Sequence, residues 1–399
     1  LHTKTMTEPT EKTILSHKKN RPTIIVAGLI SVILFTYLTT TYGWRQGALL
    51  LVGLIAGISL YHAAFGFTAA WREVVLTGRS AGLRAQMVML GITVLIFTPL
   101  IGLGEFGGID LRGNVAPLNL AVIFGAFVFG IGMQLGGACA SGTLFTAGGG
   151  NARMLVTLAA FICGSVIGTW HWSQWQDAPG YEAVVLSKNF GIIPAILISL
   201  VLFALVWLAA AWNERRHHNS IKSYWKTEIG QSWLRGPWPV IIGALVLAGV
   251  NIATLLIAGR PWGVTSAFAL WGAKFVGLIN IDVTAWEYWQ RPSSLESLNQ
   301  SILTNVTSVM NIGIMLGALS AASLAGKFAP SFKLPWRSLL AAVIGGLMLG
   351  YGARLAYGCN IGAYFSGISS TSMHGWLWFV AAFLGSILGT RLRPYFGLQ

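Results

Sequence analysis

The alternation of long apolar runs and short polar breaks divides this chain into membrane-crossing segments. A helix needs roughly 20 apolar residues to cross a bilayer, with a range of about 17–25. Ten runs satisfy that rule, at about 22–41, 46–63, 85–103, 118–135, 153–170, 190–212, 238–257, 304–326, 338–355 and 375–391. Four further segments, 64–71, 136–150, 259–275 and 356–371, each follow a run directly and are rich in Gly, Ala, Ser and Thr. They are too short to cross. Irregular backbone persists at membrane depth only where protein or a water-filled cavity surrounds it, so the pattern predicts four short re-entrant helices. The expected fold class is an all-α polytopic membrane protein.

Composition excludes a soluble protein. Of the 399 residues, 54% are hydrophobic and 10% charged, against about 25% charged in soluble domains. The formal charge of +14 is explained by its distribution. With the N-terminus placed inside, the segments 1–21, 71–84, 151–153, 213–237, 327–337 and 391–399 fall on one side and hold 19 of the 26 Lys and Arg. The other side holds seven of the twelve acids. This bias predicts that both termini are cytoplasmic, and it requires no nucleic-acid partner. The organisation then reads as a cytoplasmic tail (1–21), a first transmembrane repeat (22–212), a basic linker (213–237) and a second repeat (238–399).

The repeat is visible in the residues. At a constant offset of 220, Gly125, Gly130, Gly132, Leu135, Cys139, Gly142 and Phe145 match Gly345, Gly350, Gly352, Leu355, Cys359, Gly362 and Phe365. A weaker match pairs the stretch from Phe65 to Trp71 with that from Trp262 to Phe268. In the span count, the run before Cys139 heads inward and the run before Cys359 heads outward. The halves are therefore expected to be inverted, with five spans each. Such repeats place a substrate site near the midplane, where broken helices meet.

Candidate chemistry gathers in the two cysteine loops. Gly137 and Gly358 precede the cysteines and allow sharp turns. Ser141 and Gly142 follow Cys139, and Asn360 and Gly362 follow Cys359; these residues start half-helices whose positive ends suit an anion. Thiols are weak donors that suit a soft, sulfur-containing solute. Arg354 lies in a span beside the second loop, where a charge is costly and faces a cavity or a partner. Its repeat mate is Gln134. Arg260 is placed to steer anions from outside. Cys163 reads as a packing residue. No Asp or Glu is expected within a span, and neither a P-loop nor a Cys/His cluster occurs, so no cofactor or metal is expected.

Together, the stretch from Gly136 to Gly142 and that from Gly350 to Asn360 resemble the YeeE/YedE family of bacterial inner-membrane sulfur transporters, with a weaker likeness over about 46–391. The resemblance implies inverted halves whose short helices pinch an hourglass pathway. It also implies cofactor-free passage of thiosulfate along cysteines, with Cys139 and Cys359 as two of the relay thiols and a cytoplasmic sulfur-carrier protein as a partner. Many members carry a further cysteine in the first short loop, where this chain has Gly66. That departure leaves another sulfur or selenium compound as an alternative. A membrane-embedded thiol enzyme is a second alternative.

Overall fold

A computed structural model describes residues 20–227, 232–332 and 334–398. Most of the expected N-terminal tail lies outside the described residues. Ten helices among the described residues are long and apolar enough to cross a membrane, so the chain is an all-helical multi-pass membrane protein. The long helices are α1 (Arg21–Tyr42), α2 (Trp44–His62), α4 (Ala81–Leu103), α5 (Leu120–Gly136), α7 (Ala152–Trp170), α8 (Ile192–His218), α9 (Val240–Ala258), α11 (Val306–Leu324), α12 (Trp336–Leu355) and α14 (His374–Leu392). Among the shorter helices between them, four follow or precede the long ones at the expected short segments: α3 (Phe67–Thr77), α6 (Ala140–Gly148), α10 (Thr265–Leu278) and α13 (Asn360–Ser366). The last is a π-helical turn, with the Cys359 carbonyl accepting from both Ala363 N (2.8 Å) and Tyr364 N (3.3 Å). Single π turns often mark functional sites.

Local chemistry sets many of the ends. Asn119, Asn151 and Asn305 accept backbone N–H groups at the starts of α5, α7 and α11, satisfying donors that a helix leaves orphaned. Gly137 ends α5 at φ +95° and Gly259 ends α9 at φ +70°, a backbone region in which a Cβ is unfavourable.

The order long, short, long, long, short, long occurs twice, over 44–170 and over 240–392. This series is narrower than the expected repeats of five spans each, because α1 and α8 stand outside it. Both are mostly exposed and present apolar surface, such as Ile33 on α1 and Ile193 on α8. Within the series, α5 packs on α14 while α12 packs on α7, and α5 packs on α12. The repeated glycines explain the last contact. A Cβ on Gly125 would lie 2.7 Å from the Gly352 carbonyl oxygen, and one on Gly132 would lie 2.8 Å from the Gly345 oxygen. Because the earlier residue of α5 meets the later residue of α12, the two helices run antiparallel. Small residues let membrane helices approach until backbones touch.

Three sequence expectations are corrected. The first short helix runs to Thr77 and not to 71, carrying Arg72 and Glu73 on it. Helix α8 continues past 212, so Glu214 lies on a long helix. There it is buried and bonded to Ser80, Arg79, Arg84 and the Lys222 amide; a carboxylate at this depth is tolerated because it is surrounded by donors. Cys163 is exposed on the surface of α7 and is not a packing residue.

Candidate functional site

Cys139 and Cys359 are buried in the same core cluster. Each occupies the position immediately before a short helix, in extended backbone. Backbone amides of the following turn lie near each sulfur, those of Ser141 and Gly142 beside Cys139 and those of Ile361 and Gly362 beside Cys359. The repeat thus places two thiols in matching caps. Helices α6 and α13 touch, and Cys359 lies within electrostatic reach of both Cys139 and Arg354. Ser141 Oγ stands 3.5 Å from Cys139 Sγ. A Cβ on Gly142 would come 3.5 Å from the same sulfur.

A cavity of 510 Å³ opens at Tyr357 and Gly358, the residues that precede Cys359. Gly358, at φ +149°, and Gly362 form part of its floor. Four guanidinium side chains line it, from Arg112, Arg260, Arg291 and Arg354, and no carboxylate is among its lining residues. Arg354 is 7% exposed. Its Nη1 donates to Tyr288 Oη (3.0 Å) and its Nη2 to Thr265 Oγ1 (2.7 Å), while Nε has no partner. Arg291 stacks over Tyr288 at 4.1 Å and over Trp172 at 5.1 Å. Arg260 Nη2 reaches Thr307 Oγ1 at 3.4 Å. Asn114 fastens this wall to the cysteine helix by donating from Nδ2 to the Gly362 carbonyl (2.6 Å).

A second cavity, of 140 Å³, opens on the face that carries the linker. Gly66 lies there with Glu73, Gln86, Lys222 and Lys226. Gln86 joins this cavity to the cysteine region. Its Oε1 accepts from Trp71 Nε1 (3.1 Å) and from Tyr364 Oη (3.4 Å), and Tyr364 belongs to the turn that begins after Cys359. Tyr364 packs on Phe67, Trp71 and Phe379, and this aromatic cluster fills the space beside the thiols.

The sequence-derived residues therefore divide into groups. Gly358, Gly362 and Arg354 share the larger cavity, whereas Cys139, Ser141 and Cys359 are buried and line neither cavity. Gly66 belongs to the other cavity. Asn360 is fully buried, and neither atom of its amide has a partner. Gly137 stands apart, where a Cβ would meet Arg153 Nη1 at 2.6 Å. Gln134, the mate of Arg354, donates to the Thr68 carbonyl (3.2 Å), as Arg354 donates to Thr265, the residue matching Thr68 in the weaker repeat. Sequence reasoning missed Arg112, Arg291, Tyr288 and Trp172, which lie in connecting segments far from either repeat motif.

Ten candidate spans enclosing two buried, repeat-related cysteines and two cavities lined by charged side chains describe a multi-pass membrane protein with a polar interior. The family model for sulphur transport matches residues 62–388, and the chain belongs to that family. It is 27% identical over 361 residues to the thiosulfate transporter TsuA of Spirochaeta thermophila, covering 84% of this chain and 96% of that protein. It is 21% identical over 350 residues to the thiosulfate transporter TsuA of Escherichia coli, covering 84% and 91%. The probable transporter YedE of Escherichia coli matches 188 residues at 31% identity, covering 47% of this chain and 42% of that protein.

Proposed function

We propose that this chain imports a small sulfur-containing anion, thiosulfate before others, across the bacterial inner membrane. The passage runs between inverted repeats, and both termini are cytoplasmic. The observation that carries the reading is the pair of matched, buried thiols, one of them in the turn whose Gly358 and Gly362 line a cavity shared with four arginines. The guanidiniums draw a dianion from the outer side. Arg354 lines that cavity with its Nε unpartnered, and the buried amide of Asn360, next to Cys359, has no protein partner either; both are donors a passing anion would use. Cys139 and Cys359 then supply weak S–H donors in place of water, with no covalent bond formed and no cofactor. The antiparallel contact of α5 with α12 and the exchanged pairings of α7 and α14 support the inverted arrangement. The four short helices are read as re-entrant, pinching the route from both sides. A cytoplasmic sulfur-carrier protein is the receiving partner this reading implies.

The open space around Gly66 supports a second substrate class. A Cβ there would find its nearest neighbour at 3.9 Å, so this end of the route is wide enough for another sulfur or selenium compound. The deciding experiment is labelled uptake in cells that depend on this protein, with thiosulfate, sulfate, sulfite and selenite offered separately. Cys139→Ala and Cys359→Ala are each expected to abolish uptake of the preferred anion. Unchanged uptake in both variants would refute the reading.

A further inference from the structure

The cavity on the linker face is more elaborate than an open exit. One wall comes from α3 and α4 and includes Gly66 and Glu73; the other comes from the linker and includes Lys222 and Lys226. The linker is fastened in place. Lys222 N donates to Glu214 Oε1 at 2.7 Å, and the Lys222 carbonyl accepts from Arg84 Nη2 at 2.5 Å. The Arg84 guanidinium also lies over the Tyr224 ring at 5.2 Å. With its backbone held at both polar groups, Lys222 can exchange side-chain partners without moving the chain. Its Nζ meets Glu73 Oε1 at 3.3 Å, with the two side chains 46% and 37% exposed. Ion pairs this exposed are weak, so this one is readily traded for another anion. Two ammonium groups against one carboxylate leave the lining net positive.

We propose that this cavity is a second anion site, used for release. Lys222 passes from Glu73 to a doubly charged sulfur oxyanion, and Glu73 then recovers Lys222 and displaces the anion. The site rests on the anion-import reading, and it gives Glu73 the role of a release residue that keeps product from lingering. No bond is made or broken beyond the exchange of ionic partners.

The test uses the full chain in membrane vesicles, as wild type, Glu73→Gln, Lys222→Met and Lys222→Arg. Acetylation of Lys222 from the linker side is followed by mass spectrometry in the presence of thiosulfate, sulfate or gluconate at matched ionic strength. Thiosulfate is expected to protect Lys222, and to do so in Glu73→Gln at a concentration lower by up to about fivefold, the equivalent of losing an exposed ion pair. In uptake assays, preloaded thiosulfate should inhibit Glu73→Gln more strongly than wild type and Lys222→Met less strongly. Lys222→Arg, which keeps the charge, should retain the wild-type sensitivity. Protection equal in wild type and Glu73→Gln, protection by gluconate as good as by thiosulfate, or no protection at all would each overturn the proposal. Protection that persists in a wild-type protein unable to import thiosulfate would instead refute the import reading and leave the site standing.

Discussion

Replacing Arg354 by Gln removes the most deeply placed charge of the larger cavity at little cost in volume. The guanidinium makes two charge-assisted hydrogen bonds, at 3.0 and 2.7 Å, and its Nε has no partner. Two unit charges about 4 Å apart interact by about 4 kcal/mol at an effective dielectric of about 20. Three other arginines share the cavity and water screens it, so roughly half of that figure is the expected loss for an arriving anion. A loss of about 2 kcal/mol corresponds to about a thirtyfold fall in kcat/KM. It should appear mainly in KM, because the interaction is made on arrival. Arg354→Lys keeps the charge but cannot bridge Tyr288 and Thr265 with one planar fork, and it should fall between the two. The assay is initial-rate uptake of labelled thiosulfate into proteoliposomes over a range of concentrations, at low and high salt. Raised salt should narrow the gap between wild type and Arg354→Gln. A thermal melt of each purified variant separates a folding defect from a binding defect. If Arg354→Gln melts normally and keeps its KM within twofold of wild type at low salt, the anion-capture role is wrong.

Other perturbations follow from the same geometry. Gly345→Ala would drive a methyl group into the Gly136 backbone, 2.6 Å from its Cα, and should cost about 1–3 kcal/mol or more by overpacking, read as a lowered melting temperature; Gly249→Ala, where nothing stands within 4 Å, is the control and should hold or raise it. Gly66→Cys is expected to fold normally, since its backbone is extended and its surroundings are open, and to raise the preference for thiosulfate over sulfite in competition uptake; an unchanged ratio would show that this wall does not discriminate. Asn360→Ala should leave the melting temperature nearly unchanged, because its amide has no protein partner to lose, while uptake falls; normal uptake would remove Asn360 from the route. Burial pushes the Tyr288 phenol up, but the guanidiniums of Arg354 and Arg291 outweigh it and hold it below the ordinary value, which is about 10. The phenol therefore loses its proton at a lower pH than usual, and the phenolate then occupies Arg354; uptake should decline as pH rises into that range, and Tyr288→Phe should abolish the decline.

Hydrophobic periodicity and run length were sufficient to find all ten long helices, because a bilayer imposes a narrow range of lengths. The same logic exposed the short helices as runs too brief to cross. It misjudged the ends of α3 and α8, where Glu73 and Glu214 look like loop residues until their partners from distant segments are known. Cys139 and Cys359 were legible because the duplication repeats their surroundings. Arg112, Arg291 and Tyr288 were not, since they belong to connecting segments with no counterpart in the other half. Only folding brings them over Gly358. Gly66 and Gly137 look alike in the sequence, yet one borders a cavity and the other abuts Arg153, a distinction set by tertiary contact alone.

Where Gly125 faces Gly352 and Gly132 faces Gly345, main chain rests on main chain. A seam of this kind has no rotamers to reshuffle and almost no free volume to spend, so it acts as a stiff axle through the molecule. Sliding or tilting of α5 against α12 would drive backbone into backbone, so the two central helices of the matched halves are held in one fixed register.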